Sequence, residues 1–219
     1  MLNFNVKAIG FDLDNTLIDR DHAVHSWLAS VLVEQPEVLA DAIAYDDSGF
    51  LSRSTFYDWI AEKVDWADDG AGVERRFQAE VKAMFRIDPA VQQLLRDLKA
   101  HGYPLALLTN GDGGFQLKKF GLLDSADAFH PGAVHATGDL GFHKPDRRAF
   151  DAMTNSLPVP AEQILYVGDN PENDIVGGNA AGLKTCWIQL ADHHACEIEP
   201  DLKVRSVLEL RDLLLRENG

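Results

Sequence analysis

The hydrophobic pattern of the chain moves between two rhythms. Three short apolar runs, at residues 6–11, 104–108 and 164–167, end abruptly in polar residues, as buried parallel strands do where they reach a turn. Elsewhere the apolar positions fall at helical spacing. Asp88 and Pro89 read as an N-cap and first-turn proline, Val91, Leu94, Leu95 and Leu98 form the stripe, and Gly102 stands where that helix should stop. Residues 174–181 with Gly182, then an apolar run at 184–188, repeat the helix-to-strand order, and Val207, Leu208, Leu210, Leu213 and Leu214 predict a last amphipathic helix. Strands alternating with helices predict an α/β fold, a doubly wound parallel sheet with any ligand at the carboxyl ends of its strands.

Residues 19–86 break the alternation. Val24, Trp27, Leu28, Val31 and Leu32 follow helical spacing, as do Phe56, Trp59, Ile60 and Val64, and then Val73, Phe77, Met84 and Phe85. Little in this stretch reads as strand. The expected organisation is a core domain of residues 1–18 and 87–219, with a small all-helical domain of residues 19–86 inserted after the first strand. The segment from Thr109 to Lys144 has room for one helix and one strand but not for a second insertion.

Composition narrows the possible partners. A chain of 219 residues with 46% hydrophobic and 25% charged residues is that of an ordinary globular protein. No apolar run approaches the ~20 residues of a membrane helix, and the polar start of the chain does not resemble a secretory signal. Cys186 and Cys196 are the only cysteines, which fits a reducing cytoplasm better than a disulfide framework. A net charge of −15 argues against nucleic-acid polymers and anionic membranes as partners. A small anionic ligand would have to be drawn in by positive charge local to its site.

The candidate chemistry lies where the apolar runs end. Asp12 and Asp14 leave the first run two residues apart, so their side chains start on the same side of the backbone. Thr109 and Asn110 follow the second run, Lys144 stands alone further on, and Asp169 and Asp174 follow the third. A carboxylate pair, a hydroxyl, a lysine and a second acidic cluster in that order read as a Mg2+-dependent phosphoryl-transfer site. Any one of them alone is better explained as a strand running into a turn, or an exposed lysine before a Pro-Asp helix start.

These residues resemble the four motifs of the haloacid-dehalogenase-like (HAD) hydrolase superfamily: DxDxT, a Ser or Thr, a Lys, and GDxxxxD or a close variant. They stand here as Asp12-Leu13-Asp14-Asn15-Thr16, Thr109-Asn110-Gly111, Lys144-Pro145-Asp146, and Gly168-Asp169 through Asp174. The resemblance runs from near the start of the chain to about Ile188. It implies a Rossmann-like core with a first-type helical cap domain, and a phosphatase acting through an aspartyl-phosphate. In that reading Asp12 is the nucleophile and Asp14 the general acid and base. Thr109, Asn110, Gly111 and Lys144 bind the phosphoryl group, Thr109 and Lys144 counting also as catalytic. Asp12, the backbone carbonyl of Asp14, and Asp169 hold Mg2+, and Asp174 either ligates through water or holds Lys144 and the ligands in place. The dehalogenases of the superfamily lack the aspartate at position 14, so its presence favours phosphate chemistry.

The implied activity is hydrolysis of a small phosphomonoester: a sugar phosphate, phosphoglycolate or a nucleoside monophosphate. Asn110-Gly111 after Thr109 resembles the nucleotidase and acylneuraminate-phosphatase branch slightly more than the phosphoglycolate branch. A phosphomutase uses the same residues, and a retired member would serve as a binding or regulatory module. Other polar groups have simpler accounts. Gly111-Asp112-Gly113-Gly114 is a flexible loop rather than a GxGxxG fingerprint, and His193, His194 and Cys196 lack paired metal-ligand spacing. His22 and His25 read as polar residues at a helix surface. Trp27, Phe56, Tyr57, Trp59 and Trp66 read mostly as core of the inserted domain, where Arg20 and Arg53 are the cations to examine first for substrate contact.

Overall fold

A computed structural model describes residues 5–191, 195–196 and 198–215; His193 and His194 lie outside the described residues. The chain divides into two compact units, Met1–Leu17 with Ile87–Gly219, and Ile18–Arg86. Among the described residues, the first unit holds one parallel sheet. Its strands are β1 (Ala8–Phe11), β2 (Leu105–Thr109), β3 (Phe129–Ala136), β4 (Ile164–Gly168), β5 (Lys184–Ile188) and β6 (Leu202–Val204), in the order β3-β2-β1-β4-β5-β6. That order is doubly wound: the chain lays strands outward on one side of β1 and then on the other. The predicted α/β architecture is the one observed.

The central strands are apolar because both of their faces are covered. β1, β2 and β4 are buried at every position, so none shows the in-out alternation of a half-exposed strand. On one face Ala8, Ala106, Leu108, Phe150, Met153 and Tyr166 share a core. The predicted helix after Asp88 spans Pro89–Ala100, with the Asp88 side chain accepting from the amide of Ala90 and Val91, Leu94, Leu95 and Leu98 buried. β1 begins at Ala8, two residues later than the apolar run. The stretch expected to be helical after Asp169 is a π-helical segment, Pro171–Val176, followed by the short helix Gly177–Ala180. The end of the chain starts as a 3₁₀ turn, Val207–Glu209, before the helix Leu210–Leu214.

The second unit is helical, with helices Arg20–Val31, Pro36–Asp46, Arg53–Ala61 and Gly70–Glu80. Its two ends meet: the Asp19 amide donates to the Arg86 carbonyl at 3.2 Å in an isolated antiparallel bridge. Trp27 and Phe56 are fully buried and Tyr57 nearly so, whereas Trp59 and Trp66 are half-buried. Trp27 packs edge-on against Trp66 and Phe77, and its indole N–H donates to Glu80. His22 and His25 are half-buried, with the His22 ring facing the Ser26 hydroxyl.

Arg20 and Arg53 both pair with Asp46. The Arg20 guanidinium grips both Asp46 oxygens, and Arg53 adds a third contact at 2.9 Å. Asp46 is wholly buried and Arg20 nearly so, while Arg53 stays about a third exposed. Arg20, one of the two cations to examine for substrate contact, is thus already paired inside the helical unit. Directly after Asp46 the chain takes three consecutive left-handed residues, Asp47, Ser48 and Gly49. Ser48 anchors this turn by donating to Asp21 at 2.7 Å. Two non-glycine residues in that region cost roughly 1–2 kcal/mol each.

Burial raises the Asp46 carboxyl, but Arg20 and Arg53 hold it below the usual carboxylate range. A lowered folded-state value means that the stabilisation is complete above the unfolded value of about 3.9 and is lost as pH falls through the folded one. Asp46→Asn, which leaves Asp21 as the carboxylate on Arg20, is expected to cost about 1–3 kcal/mol at pH 7. The gap from wild type should close below about pH 4 in urea melts taken across pH. A gap independent of pH would show that charge is not what Asp46 contributes.

Candidate active site

The carboxyl ends of β1, β2 and β4 deliver the polar groups to one place. Asp12 follows β1, with its amide donating to the Val167 carbonyl at 2.9 Å, and Asn15 turns the chain at a φ of 56°. Asparagine tolerates that left-handed conformation better than most residues. Thr109 closes β2 and Asp169 follows β4, and Asp174 lies on the π-helical turn beyond. Asp12, Thr109, Lys144, Asp169 and Asp174 are all buried.

Lys144 ties this cluster together. Its ammonium donates to Asp12 Oδ1 at 2.7 Å, to Asp174 Oδ1 at 2.6 Å and to the Tyr166 hydroxyl at 3.0 Å. An ammonium has three N–H donors, and these acceptors occupy them all. Tyr166 in turn donates to the Leu108 carbonyl at 2.8 Å. Both Asp174 oxygens are engaged, since Oδ2 accepts from the Asn170 amide at 2.9 Å. The carbonyl of Asp169 accepts from the Trp187 indole at 2.8 Å, which secures the start of the acidic loop.

Three carboxylates, those of Asp12, Asp169 and Asp174, bring oxygens within 4.8 Å of one another. Burial pushes the Asp12 carboxyl up, Lys144 pulls it down, and Asp174 and Asp14 push it up again, leaving it at about 7. Burial lowers the Lys144 ammonium, but Asp12 and Asp174 more than offset this and hold it well above its ordinary value. Oxygen-only, anionic and crowded, the trio has the donor set of a hard divalent cation, and such a cation would return Asp12 to its ionised form.

Asn110 is brought into the site in an unexpected way. Its side chain grips the Lys144 backbone at both groups: the carboxamide N–H donates to the Lys144 carbonyl at 3.0 Å, and Oδ1 accepts from the Lys144 amide at 2.9 Å. The Thr137 hydroxyl donates to the same Oδ1 at 3.2 Å and meets His143 Nδ1 at 2.6 Å. The Gly111 amide donates to the Thr137 hydroxyl across a long 3.3 Å.

Sequence reasoning passed over three of these groups. Tyr166 sits in an apolar strand, where a buried phenol needs a partner, and that need was the available signal. Gln116 and Lys119 lie three apart on the helix Gly113–Phe120 and are both buried. The Lys119 ammonium contacts both oxygens of Asp14, and Gln116 donates to Asp14 Oδ2 at 3.3 Å and to the Asn110 carbonyl at 2.6 Å. The Cys196 thiol faces the Pro171 carbonyl at 3.8 Å, and both cysteines are free thiols.

A doubly wound sheet whose carboxyl edge gathers clustered carboxylates, buried ammonium groups and a hydroxyl defines an α/β enzyme core. The chain belongs to the haloacid dehalogenase-like hydrolases, whose family model matches residues 9–188. The phosphoserine phosphatase of Thermus thermophilus is 31% identical over 157 residues, spanning 68% of this chain and 61% of that protein. The glyceraldehyde 3-phosphate phosphatase of Pyrococcus furiosus is 25% identical over 233 residues, spanning 98% of this chain and 95% of that one. Among solved structures, the magnesium-bound HAD-hydrolase YfnB of Bacillus subtilis superposes with a TM-score of 0.80 at 24% identity, covering 96% of this chain and 99% of that one.

Gly168 is where the cluster has no slack. A Cβ there would run into the Asp174 carboxylate. Gly168→Ala is expected to push Asp174 off Lys144 and to lower stability by about 1–3 kcal/mol, read from the urea midpoint. An unchanged midpoint together with an unmoved Asp174 in a crystal structure would refute the close fit.

Proposed function

We propose that this protein is a Mg2+-dependent phosphatase that hydrolyses a small phosphomonoester, such as a sugar phosphate, phosphoglycolate or a nucleoside monophosphate, through an aspartyl-phosphate. That it is a phosphoric monoester hydrolase rests on its family and on relatives named as phosphatases. The observation that carries the finer reading is the Lys144 ammonium between Asp12 and Asp174, with Asp169 alongside and Asp14 two residues from the nucleophile. The helical unit Ile18–Arg86 serves, in this reading, as the cap that sets substrate choice.

Each residue then has a defined task. An Asp12 oxygen attacks phosphorus while the bond from phosphorus to the leaving-group oxygen breaks, and the leaving-group oxygen takes its proton from Asp14. Asp14 next removes a proton from water as the water attacks the phosphoenzyme, so inorganic phosphate leaves and Asp12 is restored. Thr109 and the amides of Asn110 and Gly111 hold phosphoryl oxygens, and the long Gly111 contact to Thr137 is weak enough to exchange for one. With its donors taken, Lys144 acts on the phosphoryl group through charge. Asp12, the Asp14 carbonyl and Asp169 would hold Mg2+, which when bound supplies positive charge to the phosphoryl oxygens and to the acidic cluster. Asp174, with both oxygens engaged, braces Lys144 and would reach the metal through water.

Metal removal and loss of the nucleophile test the core of this proposal. EDTA should abolish phosphate release from p-nitrophenyl phosphate and Mg2+ should restore it, with no bisphosphate activator, which separates hydrolysis from a mutase. Asp12→Asn, nearly isosteric, should remove turnover without unfolding the protein. A variant keeping more than about a tenth of wild-type activity, a barrier change under ~1.4 kcal/mol, is too active to have lost its nucleophile.

Asp14 gives a separate signature. In Asp14→Asn, p-nitrophenolate needs little protonation to leave, so the phosphoenzyme should still form quickly, while its hydrolysis lacks a base. The expected trace is a burst of p-nitrophenolate followed by a low steady rate. Alkyl phosphates should show slow formation and no burst. Equal slowing of the first step for both substrates would assign Asp14 to placing backbone or metal rather than to moving a proton.

A further inference from the structure

We propose that Lys119 and Gln116 are positioning residues that fix where the Asp14 carboxyl group stands, and so govern both proton-transfer steps without touching substrate. The inference rests on the role proposed for Asp14 above. Asp14 has a short side chain, about a quarter exposed, at the open end of a strand. Such a carboxylate ordinarily samples several staggered rotamers. Here both oxygens meet the Lys119 ammonium, and one of them also meets the Gln116 amide.

The helix that supplies these partners is built for the task. The Asp112 side chain caps it by accepting from the Phe115 amide at 2.8 Å, and three-residue spacing puts Gln116 and Lys119 on one face. Lysine and glutamine are seldom buried, and burying Lys119 costs rotamer freedom and hydration of its charge. An apolar residue at either place would pack at lower cost if shape were all that mattered. The partner of both lies in another motif, more than a hundred residues away in sequence.

Gln116 also joins the two halves of the site. One amide nitrogen reaches Asp14 and the Asn110 carbonyl, and the Asn110 side chain holds the Lys144 backbone. Asp14 is thereby tied to the lysine that contacts Asp12. The Gly111 conformation leaves room for this link: a Cβ there would press on the Gln116 amide. Displacing the carboxyl group by about 1 Å is enough to spoil proton transfer in either direction.

A double-mutant cycle tests the inference. Lys119→Met is close in shape, and Asp14, partly exposed, gains water when the ammonium is lost, so the fold should survive; Lys119→Gln serves if it does not. With p-nitrophenyl phosphate and Mg2+, Lys119→Met should lower steady turnover about 10- to 100-fold while leaving KM nearly unchanged. In the Asp14→Asn background the same change should matter less than about twofold, because a residue acting through Asp14 has nothing left to act on. Additive losses would overturn the inference. Wild-type protein inactive on every phosphomonoester would sink the proposed function instead. The positioning claim would then be decided by the crystal structure of Gln116→Ala/Lys119→Met, where the Asp14 carboxylate should occupy a different rotamer. An unmoved carboxylate overturns it in an active or an inactive protein alike.

Discussion

Lys144 is charged, almost wholly buried and sits at the end of a parallel sheet, where an unpaired ammonium would be intolerable. It is stable there because Asp12, Asp174 and Tyr166 surround it, and each of these is held by something else. Asp12 hangs from the end of β1, Asp174 from a turn whose first amide it accepts, and Tyr166 from the Leu108 carbonyl. The lysine backbone is gripped by Asn110, which follows β2. One buried charge thus fixes the relative placement of the ends of three strands. Remove it, and two buried carboxylates face each other with no cation between them.

Much of this was legible because the chemistry sits at predictable places. Asp12, Thr109 and Asp169 each close a short apolar run, so a reader who finds the strands finds the groups. The edges of the sheet were harder to read. Pro131 and Gly132 interrupt the apolar pattern of β3, as edge strands permit, and β6 has three residues, too few for any periodicity. Lys119, Gln116 and Tyr166 look locally like a surface lysine, a surface glutamine and a core aromatic. Their roles depend on partners far away in sequence, which no local pattern records. Arg20 likewise looks locally like a lone arginine, and its pairing with Asp46 is out of reach of any local pattern.

The two compact units keep their buried charge in separate accounts of different kinds. In the sheet unit three carboxylates crowd one ammonium, so negative charge is in excess and Asp12 is pushed up to about 7. In the helical unit two guanidinium groups converge on Asp46, and its carboxyl is held down. The first imbalance suits a site that takes up a cation. The second takes in Asp21, which pairs with Arg20 and accepts from Ser48 in the turn of left-handed residues.

The bridge between Asp19 and Arg86 has an evolutionary consequence. Because the helical segment leaves and re-enters the chain one hydrogen bond apart, whatever lies between those residues is an excursion with its ends already joined. Lengthening, shortening or exchanging the excursion changes neither the register of the sheet nor the placement of the strand ends, and loop-closure entropy grows only slowly with length. The segment between Ile18 and Arg86 and the strands that flank it are therefore free to diversify on separate clocks.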